Sequence, residues 1–378
     1  MMKKPVARKL VKNLLILLNA GIALMFIGGS CARYFNPVHW WFLGLLTLLL
    51  AYLIGALVLF LVFWAVRKSF WCGLSLVPLV VFYHSVINIF PVNIPHSFHM
   101  KKQPGTIRVM SWNVEQFNIL HHKDHPEVKQ EMLDLINRYD PDIACFQEVV
   151  ASDKKQGINY LPDILKALHF KDYFYSYSLK DDFDRYHHFG RIIFSKLPIL
   201  NKQTVVNNPG DYNATFQYVD VLYGKDTIRV FNIHLQSLKF SKANLNYLDN
   251  NEFSSDSNIT ESKSIVAKIK RGFLKRSVQA AFIKDEINHS PYPVILCGDF
   301  NDVPNSYAYE TIGEGLQNAF VEKGSGIART FSTISPTLRI DNIFADHSFR
   351  VTQFTRIKKL LSDHFPIFAD MIPGGKSK

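Results

Sequence analysis

The longest uninterrupted apolar segment restricts the fold of this chain more than any other feature. Residues Trp40 to Val66 are 27 successive uncharged positions. An α-helix rises about 1.5 Å per residue, so ~20 such residues cross the ~30 Å hydrocarbon core of a bilayer. Trp40, Trp41 and Trp64 stand near the ends of the segment, where interfacial aromatic residues are enriched. We therefore expect a membrane-spanning helix here.

Two shorter apolar stretches flank this segment, at about Asn13 to Cys31 and Phe70 to Phe90. The first follows a basic leader and could be the apolar region of a signal peptide, but the next segment would still anchor the protein. The last contains Pro78, His84 and Asn88, so a re-entrant or interfacial helix is the alternative to a span. We expect residues 1–92 to form an anchor of about three transmembrane helices.

The positive charge is concentrated beside these apolar segments. Residues 1–100 carry eight Lys or Arg and no Asp or Glu, whereas the other 278 residues carry 35 basic and 32 acidic side chains. The near-neutral remainder argues against a basic nucleic-acid groove. Five basic residues precede the stretch that begins at Asn13, and Arg67 and Lys68 follow the long segment that ends at Val66. Only Arg33 lies between these two apolar segments. Three spans would then place the rest of the chain outside the cytoplasm, and two spans inside it.

The remainder of the chain has the pattern of one α/β domain. Residues 93–106 are rich in Pro, Lys and His and are interpreted as a linker. From Ile107, short β-branched and aromatic runs alternate with helical ones, which predicts a domain at 107–372. Strands are predicted at 107–112, 142–147, 191–195, 215–223, 227–235, 293–299, 339–345 and 366–371, and helices at 126–138, 161–168 and about 261–288. The polar segment 236–262 is either a substrate-binding flap or a tolerated insertion.

Polar side chains recur where the predicted strands end. They are Asn113, Glu148, Asn232, His234, Asp299, Asn301, Asp341, Asp363 and His364. Rigid strands hold functional groups to a fixed geometry, so one site at one end of a sheet is expected. Asn232 has a structural alternative, because its amide can bond to backbone.

This set of side chains favours phosphoryl chemistry. Carboxylate and amide oxygens without cysteine ligands suit a hard cation such as Mg²⁺ or Mn²⁺, with Ca²⁺ also possible. Histidines beside carboxylates suit proton transfer near neutral pH. The sequence has no Ser or Cys nucleophile elbow, Gly-rich phosphate loop or HExxH motif. A hard cation that stabilises a phosphoryl transition state and activates water therefore explains the set best.

Seven short motifs in a fixed order carry a resemblance to a known family. They are SWNV, FQE, GRIIFSKLPI, NIHLQS, GDFND, RIDNIF and SDHFP. Together they resemble the endonuclease/exonuclease/phosphatase superfamily over residues 107–372. Its members include pancreatic-type deoxyribonuclease, abasic-site endonucleases, neutral sphingomyelinases and inositol-polyphosphate phosphatases. The resemblance implies a four-layered α/β sandwich, in which two packed mixed sheets are flanked by helices.

The resemblance also implies a role for each residue of the set. Glu148 is similar to the principal metal ligand, with Asn113 and Asp363 beside the metal. His364 is similar to the histidine that activates water or contacts the phosphate, and Asp341 to its orienting partner. The remaining implied roles are those of Asp299 as catalytic aspartate, Asn301 as phosphate-binding amide and His234 as leaving-group assistant. Arg191 is a further candidate for substrate binding, with an exposed charge as the alternative.

These observations predict a membrane-tethered, metal-dependent phosphoesterase. Water would attack a phosphodiester or phosphomonoester in line. Three classes of substrate stay open: a lipid headgroup, a nucleic acid and a small metabolite. The bilayer is the other expected partner, and nothing indicates an obligate protein partner. The alternative is a non-catalytic membrane-bound binding module or scaffold, which would be expected to have lost some of the site residues; all of them are present.

Overall fold

The computed structural model describes residues 4–374 except 155, 180, 181, 183, 185, 208–212, 214, 239–243 and 245–255. Most of the polar segment 236–262 thus lies outside the described residues. The helices are α1 (Lys4–Cys31), α2 (Pro37–Val66), α3 (Gly73–Val81), α4 (Tyr83–Ile89), α5 (Glu127–Tyr139), α6 (Leu161–Ala167), α7 (Asp256–Asn288), α8 (Tyr307–Gly313) and α9 (Ala319–Lys323). The strands are β1 (Ile107–Asn113), β2 (Ile143–Ala151), β3 (Asp172–Tyr177), β4 (His188–Ser195), β5 (Ile199–Val206), β6 (Thr215–Tyr223), β7 (Asp226–His234), β8 (Val294–Asp299), β9 (Leu316–Asn318), β10 (Asp341–Asp346), β11 (Phe349–Arg356) and β12 (Ile367–Pro373).

The N-terminal helices confirm the apolar bundle predicted from the sequence. Among the described residues α1 and α2 are each long and apolar enough to cross a membrane. The third stretch forms two helical pieces, Phe70–Val81 and Tyr83–Ile89, that meet at an angle of 73°. Pro78 lies inside the first piece, and Phe82 leaves the helical conformation between the two. The bundle therefore has two candidate spans, or three if the bent pair counts as one.

Small residues allow α1 and α2 to pack closely. A Cβ atom added to Gly29 would lie 2.8 Å from a Leu50 methyl group and 3.1 Å from the Leu46 carbonyl oxygen. Such close backbone approach is what small residues provide between membrane helices. Asn19 of α1 accepts a hydrogen bond of 2.9 Å from the Ser75 hydroxyl of α3. The three segments thus form one packed unit.

The rest of the chain forms two six-stranded mixed sheets. Their strand orders are β11-β12-β1-β2-β4-β3 and β5-β6-β7-β8-β10-β9. Each sheet has one central parallel pair, β1 with β2 and β7 with β8, and antiparallel neighbours outside it. Parallel neighbours end at the same edge of a sheet, and an antiparallel neighbour begins there. One edge of the two-sheet sandwich therefore holds the ends of β1, β2, β7 and β8 and the starts of β10 and β12. We call it the catalytic edge.

Three apolar clusters show how the layers stack. One lies between the sheets and includes Val109, Ile193, Val230 and Ile295. A second packs α5 and α6 on the outer face of the first sheet, and a third packs α7 and α8 on the outer face of the other. This arrangement confirms the four-layered sandwich expected from the resemblance.

A buried amide joins the two sheets near the catalytic edge. The Asn232 side chain of β7 donates to the carbonyl oxygens of Phe146 and Ile192, each at 3.0 Å, and accepts from Gln147 Nε2 at 2.7 Å. These partners belong to β2 and β4 of the opposite sheet, and Asn232 is fully buried. The structural interpretation of this residue is therefore supported by its contacts.

Candidate active site

Strand register places three candidate residues in one row. His234 of β7 pairs with Asp299 of β8, which in turn pairs with Asp341 of β10. Residues directly opposite on neighbouring strands project to the same face of a sheet. The His234 Nε2 atom accordingly lies 3.5 Å from Asp299 Oδ2. The row puts two carboxylates and an imidazole at the catalytic edge.

The opposite sheet completes the site around Asp299. The carboxylate is 1% exposed, and its Oδ2 atom accepts from Asn113 Nδ2 at 3.2 Å. His364, in the segment that enters β12, brings its Nε2 atom to 3.7 Å from the same oxygen. Side chains from both sheets therefore meet at one carboxylate oxygen.

A β-bulge directs Glu148 toward this centre. The register of β2 against β4 shifts between Phe146 and Val149, and Glu148 has a φ of 56°. Bulges bend a strand locally and change the direction of a side chain. Glu148 Oε1 accepts from Asn113 Nδ2 at 3.1 Å and lies 3.8 Å from His234 Nε2. Its other oxygen accepts from Gln116 Nε2 at 3.0 Å.

Gln116 was not among the residues predicted from the sequence. It lies three residues after Asn113, in a segment where residues 115 to 118 all have positive φ. This left-handed run turns the chain back toward β2, and no alternation of apolar residues marks it. The available signal was its position two residues after the SWNV motif.

His364 and Asp341 form an oriented pair. His364 Nδ1 lies 2.8 Å from Asp341 Oδ2, and because a carboxylate only accepts, Nδ1 carries the proton. The Thr330 hydroxyl oxygen accepts from the backbone N–H of Asp341 at 3.0 Å and fixes the start of β10. Nε2 of the imidazole is thereby held toward Asp299.

The environment separates the pKa values of the three central groups. Burial raises the pKa of Asp299 to about 7, and the Asp341 carboxylate adds to the increase. Burial alone would lower the pKa of His364, but the carboxylates of Asp341 and Asp299 outweigh it and raise the pKa well above its usual value. Burial lowers the pKa of His234 well below the usual value, with Arg191 adding to the effect. Opposed shifts of this kind occur where groups exchange protons.

Asn301 and Asp363 lie next to the central groups. The Asn301 backbone N–H donates to Asp299 Oδ1 at 2.8 Å, and its side chain donates to the Leu235 carbonyl oxygen at 3.0 Å. Ser362 donates from its hydroxyl to the Asn113 carbonyl oxygen at 2.8 Å and lies 3.3 Å from Asp363 Oδ1. Both predicted residues are thus connected to the centre by hydrogen bonds.

Arg191 occupies a different position from the other candidates. It is 3% exposed on β4, and its Nη1 atom donates to the hydroxyl and the carbonyl oxygen of Thr215 on β6. The guanidinium therefore lies between the sheets, and the alternative of an exposed charge is wrong. A contact with substrate stays a prediction for this residue.

The donor set fits a divalent cation. Among the described residues, the basic side chains within 4.0 Å of the Glu148, Asp299 and Asp341 carboxylates are the imidazoles of His234 and His364. Asp341 Oδ1 is buried without a hydrogen-bond partner, and ligand atoms of Asp299, Asp341 and His364 lie within 4.8 Å of one another. Buried carboxylates are stable when they are paired or coordinate a metal. Hard oxygen donors of this kind match Mg²⁺, Mn²⁺ or Ca²⁺.

Solved structures that are similar to this chain have low sequence identity to it. An endonuclease/exonuclease/phosphatase from Beutenbergia cavernae is 20% identical, with a TM-score of 0.53 and coverage of 71% of this chain and 72% of the other. A humanized TDP2 of D. rerio is 16% identical (TM-score 0.49; coverage 71% and 99%), and a mannosyl-6-phosphatase of Bacteroides thetaiotaomicron is 18% identical (TM-score 0.47; coverage 70% and 99%). No curated protein sequence matches the chain.

Two family models match different parts of the chain. The model of a domain of unknown function (DUF8431) matches residues 12–89, which contain the apolar helices. The model described as Endonuclease/Exonuclease/phosphatase family matches residues 110–364, more than half of the chain, and this range holds every candidate site residue named above. The protein therefore belongs to the endonuclease/exonuclease/phosphatase family.

Proposed function

We propose that this protein is a membrane-tethered, divalent-metal-dependent phosphoesterase that hydrolyses a phosphodiester or phosphomonoester by in-line attack of water. The observation that carries the proposal is the meeting of Asn113, His234 and His364 at one buried oxygen of Asp299. Family membership supplies the reaction class, and this geometry supplies groups that can move a proton and stabilise phosphoryl charge.

Glu148, Asn113 and Asp363 would hold the cation. When bound, a divalent cation neutralises phosphoryl charge and lowers the pKa of water. Glu148 suits this role because burial raises its pKa despite the hydrogen bond from Asn113, so a cation would stabilise its charged form.

The other residues have distinct tasks in the proposed reaction. Asp341 holds the His364 ring in one orientation and favours its protonated form, so the positive charge can face the phosphoryl oxygens. Asp299 can accept a proton at Oδ2, where the imidazoles and the Asn113 amide converge. His234 stays neutral at physiological pH because burial lowers its pKa. Asn301 would bind the phosphate.

The arrangement of the helices supports an extracytoplasmic site. Arg33, in the connection between α1 and α2, lies 3.0 Å from Glu310 of α8 in the catalytic domain. Because α1 and α2 are joined by this short connection, the basic leader and the Arg67–Lys68 turn stand at the opposite end of the bundle. Basic ends face the cytoplasm in most membrane proteins. The catalytic domain would then lie on the other side.

A metal-replacement assay on the full chain tests the function. The protein would be purified in detergent, stripped with a chelator and supplied with Mg²⁺, Mn²⁺ or Ca²⁺. Bis(p-nitrophenyl) phosphate and p-nitrophenyl phosphate would report diester and monoester hydrolysis. We expect metal-dependent turnover that Asp299→Asn reduces by several orders of magnitude. Absence of turnover with every metal and both esters would favour the non-catalytic binding module.

A further inference from the structure

The loop that leaves the catalytic edge after β8 docks on the N-terminal helices. Asn305 lies six residues beyond Asp299 and is fully buried. Its side-chain amide donates to the Ser85 carbonyl oxygen of α4 at 3.0 Å, and its oxygen accepts from Asn88 Nδ2 of the same helix at 3.0 Å. The chain thus passes from a catalytic carboxylate to the membrane helices within a few residues.

The loop that enters β10 docks in the same way. Arg339, two residues before Asp341, is 2% exposed and donates from Nη2 to the Asn88 carbonyl oxygen. Earlier in this loop the Ser335 hydroxyl lies 3.0 Å from the Tyr52 hydroxyl of α2. Phe331, four residues before Ser335, packs its ring 5.0 Å from the His364 ring. One short segment therefore connects the reaction centre with the middle of a candidate span.

Helices of the catalytic domain extend this contact. Glu310 of α8 accepts from Asn88 Nδ2 at 2.9 Å while its other oxygen pairs with Arg33. A Cβ atom added to Gly44 of α2 would lie 2.7 Å from the Phe273 ring of α7, so these helices are in close contact. Buried hydrogen-bonded groups of this kind fix one relative orientation, because breaking them leaves polar atoms without partners.

The distances along the chain limit how far the site can be from the helices. An extended chain covers at most about 3.6 Å per residue. Four residues separate Phe331 from Ser335, so their Cα atoms are within ~15 Å of each other, which is half the ~30 Å thickness of the hydrocarbon core. Tyr52 belongs to the apolar segment of α2. In the proposed membrane-tethered protein, the backbone that packs against His364 would consequently lie within about half a core thickness of the loop residue that contacts α2.

An exposed apolar side chain occupies the same segment. Ile334 precedes Ser335, is 43% exposed and has a φ of 65°. A positive φ is rare for a β-branched residue and persists where the surrounding structure imposes it. The segment is held at one end by His364 and at the other by Tyr52. This apolar group is therefore placed between the catalytic edge and the lipid-facing helix.

From this placement we infer that the substrate is a phosphate ester carried by a lipid of the same membrane and presented to the site beside α2. The inference rests on the proposed phosphoesterase function. A water-soluble molecule could carry the same phosphate ester, so the two sources must be compared directly. A tether that only localised the domain would need no buried contact with the loops that hold Asp299 and Asp341.

Matched esters on two carriers test the inference. The full chain would be reconstituted into phosphatidylcholine vesicles with the activating metal. Hexadecyl p-nitrophenyl phosphate in the bilayer would be compared with ethyl p-nitrophenyl phosphate in solution, and hexadecyl phosphate with butyl phosphate. Each pair shares its reacting group. We expect at least a tenfold higher kcat/KM for the hexadecyl ester, with a rate that follows its mole fraction in the bilayer.

A variant pair gives a second readout. Ile334→Ser should lower the ratio of hexadecyl to ethyl ester hydrolysis at least threefold. Leu200→Ser is the matched control, because Leu200 is 57% exposed near the start of the edge strand β5, away from the site. This control variant should leave the ratio unchanged. Equal rates on both carriers, or a rate set by bulk concentration, would overturn the lipid inference and leave the phosphoesterase intact. If the esters on both carriers stay intact, the lipid inference and the proposed phosphoesterase function are both overturned.

Discussion

Replacing Asp341 with Asn should remove a charge from the site while keeping its shape. Asp341 Oδ2 lies 2.8 Å from His364 Nδ1, and an amide oxygen can accept the same hydrogen bond. The amide NH₂ group would take the position of Oδ1, which is buried without a hydrogen-bond partner. The imidazole keeps its hydrogen bond and its orientation, so the variant isolates the electrostatic contribution of the carboxylate.

The size of that contribution follows from the separation of the charges. The centres of an imidazolium and a carboxylate in this contact are about 4 Å apart, which corresponds to ~4 kcal/mol at an effective dielectric constant of about 20. Since ~1.4 kcal/mol changes a rate tenfold, losing the carboxylate should lower kcat/KM on the order of 1,000-fold. This holds if His364 bears positive charge when the phosphoryl group is transferred.

The assay is steady-state hydrolysis of bis(p-nitrophenyl) phosphate by the full chain with saturating metal. Asp346→Asn is the matched control, because this carboxylate ends the same strand and accepts from the Ser348 backbone N–H at 2.8 Å. The control should keep wild-type activity, and both variants should unfold at similar temperatures. A decrease of less than tenfold for folded Asp341→Asn would refute the charged role of His364.

Three further variants test the metal site and the framework. Glu148→Gln should raise the Mg²⁺ concentration for half-maximal rate at least ~10-fold, because one anionic ligand is lost; unchanged metal dependence would contradict the ligand assignment. Asn232→Ala removes three buried hydrogen bonds and should lower the free energy of unfolding by about 3 kcal/mol. This loss corresponds to a decrease of roughly 6–12 °C in the unfolding temperature, whereas Asn137→Ala, at an exposed position, should have little effect. Arg108→Ala removes the cationic partner of buried Asp370, which keeps the hydrogen bond from Gln353, at a cost of about 3–5 kcal/mol. Near-wild-type stability would show that the ion pair is dispensable.

The catalytic edge was predictable because its strands carry strong local patterns. The run that became β8 is apolar until Gly298 and Asp299, and those that became β1 and β7 are mostly apolar or β-branched and close on Asn113 and His234. A polar residue at the end of such a run marks a strand end at a sheet edge. The predicted strands 215–223 and 227–235 are confirmed as the hairpin of β6 and β7, and Gly224 in the turn between them adopts a positive φ of 61°. The family motifs then connected these separate ends to one site.

Strands with polar faces were missed because they lack such patterns. β5 has the sequence ILNKQTVV and exposes five of its eight residues at the edge of its sheet. An edge strand needs little apolar surface, so no alternation is visible. β3, β9 and β11 were likewise not predicted, and two of them, β3 and β11, show mixed burial. The run 339–345 was predicted two residues too early, because Arg339 and Ile340 precede the pairing of Asp341.

The direction of Glu148 could not be derived from local sequence either. A strictly alternating strand would place Glu148 on the face opposite Gln147, toward α5 and α6. The bulge adds one extra residue to β2 relative to β4. It depends on how β2 pairs with a strand that follows about 40 residues later in the chain. The FQE motif located the residue through the resemblance, but only the two paired strands explain why its carboxylate reaches Asn113.

The role of the N-terminal helices shows the same limit of local patterns. Their composition predicts an anchor, and nothing in it predicts that Asn88 contacts residues more than 200 positions away. That contact changes what the helices do, because without them Arg339 would lose its Asn88 acceptor and Glu310 both of its partners. Both lie on segments next to the catalytic edge. The helices therefore form part of the framework that holds the candidate site. In the proposed membrane-tethered protein, these side-chain contacts would set the orientation of the site relative to the bilayer.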